Sequence, residues 1–152
     1  MVKVSALPVE RVMSRSFHCI GLEESLPRAV GIMRFYGIRH LPVLENGRPV
    51  GMLSERDIVL AETLSERGIS RVTIAEAMTS IPYCVSPDTS VAEVASHLAR
   101  RKLDSALVVS GAQVLGVFTS TDAFALLAED LTDPDVEQHD EELPPLTRAV
   151  GH

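Results

Sequence analysis

The sequence predicts an α/β (α+β) fold assembled from two β-α-β-β-α units that share one core. Three observations carry that prediction. Gly51-Met52-Leu53-Ser54-Glu55-Arg56-Asp57 is matched 65 residues later by Gly116-Val117-Phe118-Thr119-Ser120-Thr121-Asp122. Both stretches read glycine, two apolar residues, a hydroxyl, two polar residues and an aspartate. The same offset links Met13 with Met78, Cys19 with Cys84, Ser25 with Ser90 and Val43 with Val108, the register of an internal repeat. Finally, a unit of about 60 residues is too small to bury much of its own surface, so the two halves need each other.

The elements of the first unit follow in order. Residues 1–11 are a lead-in, with Pro8 favouring an extended entry. Phe17-His18-Cys19-Ile20 is short, apolar-leaning and β-prone, a first strand. Ser25 is an N-cap residue and Pro27 is tolerated in the first helical turn. Leu26, Ala29, Val30 and Met33 then recur at the spacing of one buried helical stripe, and Gly37 ends the helix. Ile38 to Leu44 and Pro49 to Leu53 flank Glu45-Asn46-Gly47-Arg48. Asn-Gly between two apolar runs signals a hairpin, because both residues accept positive φ. Ser54 opens a second helix carrying Ile58, Val59 and Leu60.

The second unit repeats this plan. Tyr83-Cys84-Val85 is its strand, and Ser90-Val91-Ala92-Glu93 has the form of a capping box. Val91, Val94, Ala95 and Leu98 reproduce the earlier stripe. Leu103 to Val109 and Val114 to Phe118 form a hairpin around Ser110-Gly111-Ala112-Gln113, and a last helix covers Thr119 to about Glu129. The organisation expected is therefore a first repeat with its lead-in over 1–62, a linker over 63–72 broken at Gly68, and a second repeat over 73–129. An acidic, proline-containing tail over 130–152 is expected to be flexible.

Charge is divided unevenly. Residues 1–128 carry 13 Lys+Arg against 13 Asp+Glu, whereas residues 129–152 carry eight acids and only Arg148. The tail therefore holds the whole net charge of −7. Neither repeat has the basic face of a nucleic-acid binder, so DNA and RNA are not expected partners. No apolar run approaches the ~20 residues of a membrane span, and no basic-then-apolar leader opens the sequence. Those features predict a cytoplasmic protein without membrane contact, in which Cys19 and Cys84 are reduced thiols.

The repeated pattern resembles a tandem cystathionine-β-synthase (CBS) domain pair, or Bateman module. The residues that carry the resemblance are Val12-Met13-Ser14 and Ala77-Met78-Thr79, then Gly37-Ile38-Arg39-His40-Leu41-Pro42-Val43, and both Gly-x-x-Ser/Thr-x-x-Asp motifs. They span roughly residues 7–128. The resemblance implies two units packed through their sheets about a pseudo-twofold axis, with two clefts between them. It further implies a stand-alone regulatory module that binds AMP, ADP or ATP, or alternatively S-adenosylmethionine or NAD(H). Pairing into a homodimer and signalling to a partner protein are implied as well. One implied cleft combines Val117, Thr119 and Asp122 with His18, Arg39 and His40. The other combines Met52, Ser54 and Asp57 with Tyr83, Asp104 and Ser105, and the first strands add Ile20 and Val85 to the two sets.

The residues themselves allow two accounts of Ser54-x-x-Asp57 and Thr119-x-x-Asp122. A hydroxyl followed three residues later by an acid at a helix start is nearly a capping box, in which the acid holds its own backbone. The same residues also suit a nucleotide: the helix N-terminus favours a phosphate, and a carboxylate can accept both ribose hydroxyls. Gly51 and Gly116 leave room for something to approach the backbone. The clefts should differ, since Arg39-His40 in one is matched by Asp104-Ser105 in the other. Phosphates should therefore favour the Asp122 cleft, with Arg56 partly offsetting Asp104 at the Asp57 cleft. Cys19 and Cys84 are expected to be small buried thiols, with a thiol or metal sensor as one rival reading and an empty dimerisation scaffold as another. No nucleophile–base set, Walker loop or zinc-protease motif is present, so no catalysis and no catalytic cofactor are expected.

Overall fold

The computed structural model describes residues 3–132, so residues 133–152, most of the acidic tail, lie outside the described residues. The order of elements is β1 (Ile20–Gly21), α1 (Leu26–Tyr36), β2 (His40–Glu45), β3 (Arg48–Ser54), α2 (Glu55–Leu64), α3 (Ile74–Ala77) and β4 (Thr79–Ser80). The second half continues with β5 (Cys84–Val85), α4 (Val91–Arg101), β6 (Ser105–Ser110), β7 (Gln113–Thr119) and α5 (Ser120–Leu131). Three 3₁₀ turns, Val4–Ala6, Val9–Arg11 and Ile69–Arg71, complete the elements among the described residues.

Local chemistry sets the boundaries. Ser25 Oγ accepts from the Arg28 N–H at 3.2 Å, and Gly37 closes α1 in the left-handed region at φ 65°. Asn46 and Gly47 take φ values of 51° and 76°, the doubly positive pair of a type I′ hairpin turn. Leu26, Ala29 and Met33 are buried on α1, as are Val91, Val94 and Leu98 on α4. Ser90 Oγ accepts from the Glu93 N–H at 3.2 Å, but the reciprocal half of the expected capping box is not formed. The first strand is shorter than the β-propensity of Phe17 to Ile20 suggests. It is confined to Ile20–Gly21, because only these two residues find a parallel partner in Val43 and Leu44. On α2 only Ile58 is buried, and Val59 and Leu60 are exposed.

Each half forms a small mixed sheet. β1-β2-β3-β4 make one and β5-β6-β7 the other, with a parallel first pair and an antiparallel hairpin in both. The hairpin registers agree residue for residue across the repeat: His40 lies opposite Ser54 and Ser105 opposite Thr119. Even the bulges coincide, between Val43 and Leu44 and between Val108 and Val109.

The packing units are not the sequence units. The residues that lead into each repeat are exchanged between the halves. Val9 and Met13 are buried with Val91, Leu98 and Phe118 of the second half. Ile74, Ala77 and Met78 pack with Leu26, Leu41 and Leu53 of the first. The backbone follows the side chains: Ser14 forms a bridge to Val117, and Thr79 and Ser80 extend the first sheet through Met52 and Gly51. The expected linker is likewise partly ordered, since α2 runs to Leu64 and Ile69 packs under α1.

A third, smaller cluster joins the sheets. Met52 on β3 meets Leu107 on β6 and Val117 on β7, all nearly solvent-free, with Phe17 alongside. The two halves therefore share a seam through their sheets, and the ends of β3 and β7, where the helices begin, are brought to it.

Candidate functional site

The site begins at the helix start after β3. Ser54 is still extended, at φ −106° and ψ 160°, and caps α2. Its Oγ accepts from the Asp57 N–H at 3.1 Å, while Asp57 Oδ2 accepts from the Ser54 N–H at 2.9 Å. Thr119 and Asp122 repeat the arrangement at 3.2 and 2.8 Å. The capping account of the motif is thus realised in both copies. It does not exhaust the carboxylate, which has two oxygens and about four lone-pair directions. One oxygen fixes the side chain, and the other is left for a further partner.

The twin glycines have a different task from the one expected. A Cβ on Gly51 would collide with Met78 Sδ and lie 2.9 Å from the Thr79 carbonyl oxygen. On Gly116 it would meet Met13 and lie 2.8 Å from the Ser14 carbonyl oxygen. What approaches these glycines is the exchanged lead-in of the other repeat, and the space is already filled.

A cavity of about 690 Å³ opens between the halves beside Asp57, within the usual range for small-molecule sites. It is lined by His40, Met52, Ser54, Arg56 and Asp57 of the first repeat, and by Tyr83, Asp104 and Ser105 of the second. The structure therefore brings together Met52, Ser54, Asp57, Tyr83, Asp104 and Ser105 as expected in that cleft, with Arg56, but not Val85, which is buried in the core of the second half. Residues that the sequence did not assign to the cleft complete it: Thr79, Ile81, Pro82, Cys84, His97, Arg101, Lys102 and Leu103. The Tyr83 ring stacks on His97 with centroids 3.9 Å apart and planes 12° from parallel. Burial pushes the Tyr83 hydroxyl pKa upward, with Glu93 adding to the shift and Arg100 opposing it, so the phenol stays protonated near neutrality. Arg56 Nη1 stands 3.5 Å from Asp104 Oδ2, an ion pair between the repeats.

The other expected set comes from the segment before β1 and the start of β2 in the first half, and from β7 and α5 in the second. Val117 belongs to the seam, and Thr119 and Asp122 cap α5. His18 stacks on Tyr36 with centroids 3.6 Å apart. Arg39 lies in a groove between α1 and α2, where Glu55, the first residue of α2, draws its guanidinium to 3.8 Å. His40 lines the Asp57 cavity instead, since it sits opposite Ser54 in the ladder and directly paired residues share a sheet face. Its pKa is lowered by burial, with Arg39 and Arg56 adding to the shift and Asp104 and Asp57 opposing it. Ile20 and Val85 are buried in the two cores. Arg56, Arg101 and Lys102 stand at the Asp57 cleft, and the Arg39 guanidinium lies 3.8 Å from Glu55.

The thiols are also separated. Cys19 lines a small cavity with Phe17 and Leu44, whereas Cys84 is exposed rather than buried and faces the Asp57 cleft. Partial desolvation of the sulfur raises the pKa of both, for Cys84 despite its solvent-facing side, which keeps them protonated and weakly nucleophilic. Among the described residues no three His, Cys, Asp or Glu side chains are grouped to hold a metal ion. No helix among them is long and apolar enough to cross a membrane.

Comparison with known proteins agrees with this fold. The chain is 30% identical over 116 residues to inosine-5′-monophosphate dehydrogenase of Korarchaeum cryptofilum, covering 76% of the chain but only 23% of that enzyme. It is 27% identical over 119 residues to hypoxic response protein 1 of Mycobacterium tuberculosis, covering 78% of the chain and 83% of the relative. Among solved structures, the CBS domain pair of protein MJ0100, in complex with 5′-methylthioadenosine and S-adenosyl-L-methionine, superposes with a TM-score of 0.74. The identity is 26%, with 81% of this chain and 97% of the other covered. The family model for the CBS domain matches twice, over residues 9–64 and 74–129, so the chain belongs to the CBS domain family, as a tandem pair of these regulatory ligand-binding units.

Proposed function

We propose that this CBS pair is a regulatory module that binds an adenine nucleotide, AMP, ADP or ATP, in the Asp57 cleft and passes occupancy to a partner protein. The observation that carries this reading is the cleft itself. One cavity between the repeats joins a fixed carboxylate at a helix start, an aromatic ring and several cations. The free oxygen of Asp57 suits ribose hydroxyls, the N-terminus of α2 beside Ser54 suits a phosphate, and Tyr83 offers a face for the base. Both repeats contribute, so a ligand bridging them stabilises the relative packing that satisfies both sets of contacts. Only such differential affinity can shift a conformational equilibrium. The coupling available in this way is typically ~1–3 kcal/mol, the scale of regulation. The module is taken to act in the cytoplasm as a homodimer, with no nucleic-acid or membrane partner.

Thermal unfolding with AMP, ADP, ATP, S-adenosylmethionine and NAD tests the reading. A ligand at 100 times its dissociation constant adds about 2.7 kcal/mol, a shift of several degrees for a domain this small. Asp57→Ala should abolish the shift. Asp122→Ala, which breaks the equivalent cap and lowers unliganded stability by a similar ~1 kcal/mol, should leave the shift in place. No shift with any of the five ligands would overturn the reading. S-adenosylmethionine or methylthioadenosine in the same cleft is the second reading, favoured by the ligands of the MJ0100 pair.

A further inference from the structure

Two residues that break the usual steric rule of the backbone face the same cleft. Among the described residues, three non-glycine residues have positive φ: Asn46, Ile81 and Lys102. Asn46 is accounted for by its hairpin turn. Ile81 at φ 57° and Lys102 at φ 55° both line the Asp57 cavity. In this region the Cβ crowds the following carbonyl oxygen, so glycine is the usual occupant. Ile81 is the more constrained of the two, being β-branched and followed by Pro82. Backbone strain concentrates where the surrounding structure uses it, binding sites above all.

For Lys102 the repeat supplies an internal control. Gly37 stands at the equivalent place, 65 residues earlier. Both residues end a helix in the left-handed region, the Gly37 N–H donating to Met33 O and the Lys102 N–H to Leu98 O. The next N–H, of Ile38 or Leu103, donates to the same carbonyl at 3.0 and 2.9 Å respectively. The backbone task is thus the same, and glycine performs it at the end of α1. The favourable placement of cations at a helix C-terminus does not require the lysine either, since Arg100 and Arg101 already occupy the last turn of α4. Arg101 lines the cleft beside Lys102, and its equivalent in the first repeat is Tyr36. The third cation, Arg56, is held by Asp104.

Resting on the adenine reading above, we propose that Arg101 and Lys102 are the specificity residues by which the Asp57 cleft selects a nucleoside di- or triphosphate over an uncharged or sulfonium nucleoside. The ribose and base contacts of the cleft are common to all these ligands, so discrimination falls to whatever meets the 5′ substituent. A phosphate chain gains charge-assisted hydrogen bonds from a guanidinium fork and an ammonium point donor. A sulfonium brought to the same two cations is repelled.

Isothermal titration of the full chain with ADP, adenosine and S-adenosylmethionine tests the assignment. Wild type should bind ADP about tenfold or more tighter than adenosine. Lys102→Gly should cut that ratio by roughly fivefold or more, and Arg101→Gln should also lower it, with adenosine affinity held. Glycine is at home at this φ, so the unliganded melting temperature of Lys102→Gly should not fall. Lys102→Gln, which keeps the strain and removes the charge, should lower the ratio equally. An ADP-to-adenosine ratio unchanged in Lys102→Gly and Lys102→Gln would overturn the assignment, as would wild type binding S-adenosylmethionine more tightly than ADP. Absence of heat with all three ligands on wild type would overturn the adenine reading itself, an outcome separable from an unchanged ratio.

Discussion

Gly51 and Gly116 lack side chains because each faces the methionine and carbonyl that lead into the other repeat. At the scale of single residues this leads to a direct prediction. In Gly51→Ala the Met78 thioether can swing aside, but the Thr79 carbonyl at 2.9 Å from the new Cβ belongs to a paired strand and cannot. Overpacking of this kind costs typically about 1–3 kcal/mol. Urea unfolding should register that loss in Gly51→Ala, and the added change Met78→Ala should recover only part of it. Full recovery would mean that the side chain alone sets the limit. The sequence marks these glycines through the repeat but does not say what fills the space, because the occupant arrives from 27 residues downstream in one case and from the other end of the chain in the second. Arg39 shows the same limit. Its basic character is plain from the sequence, and its capture by Glu55 at 3.8 Å depends on where α2 begins.

At the scale of elements, most helix and hairpin boundaries are visible in the chain because they rest on local chemistry. Ser25, Ser54 and Thr119 cap, Asn46-Gly47 turns, and the apolar stripes carry the helical period. The exchanged lead-ins are not visible in this way. Val9-Glu10-Arg11 and Ile74-Ala75-Glu76-Ala77 precede their own repeats in sequence, and only tertiary packing sends them into the opposite core. Ile74 is fully buried among Leu26, Leu41 and Leu53. Ile74→Ala should therefore cost about 2–5 kcal/mol. Its local effect should appear in the first half. Hydrogen exchange should speed up in α1, β2 and β3 before it does so in α4 and β6, since opening is a regional event. Faster exchange confined to α4, β6 and β7 would show that sequence units and packing units coincide after all.

At the scale of the whole molecule, the cleft and the seam are two sides of one interface. Met52 joins the sheets and also lines the cavity, and Arg56 reaches across to Asp104 from the same edge. On the proposed function, occupancy of the cleft is read where the halves meet, and His40 ties that reading to pH. Burial, the largest cause, lowers its pKa below the ordinary 6.5, so the folded, unliganded chain holds His40 neutral while the unfolded chain protonates first. As pH falls through 6.5 toward the folded value, the unfolded state binds more protons and stability declines; above that window the contribution is constant. An anionic ligand reverses the local preference, because a phosphate beside the imidazole favours its charged form. Nucleotide binding should then draw a proton onto His40, and affinity should rise as pH is lowered from 7.5 to 6.0 while unliganded stability falls. Titrations in two buffers of different ionisation enthalpy would measure the uptake directly. His40→Gln should remove both trends together, leaving Ser54, Asp57 and the cations in place. Proton uptake that persisted in this variant would assign the linkage to a group other than His40.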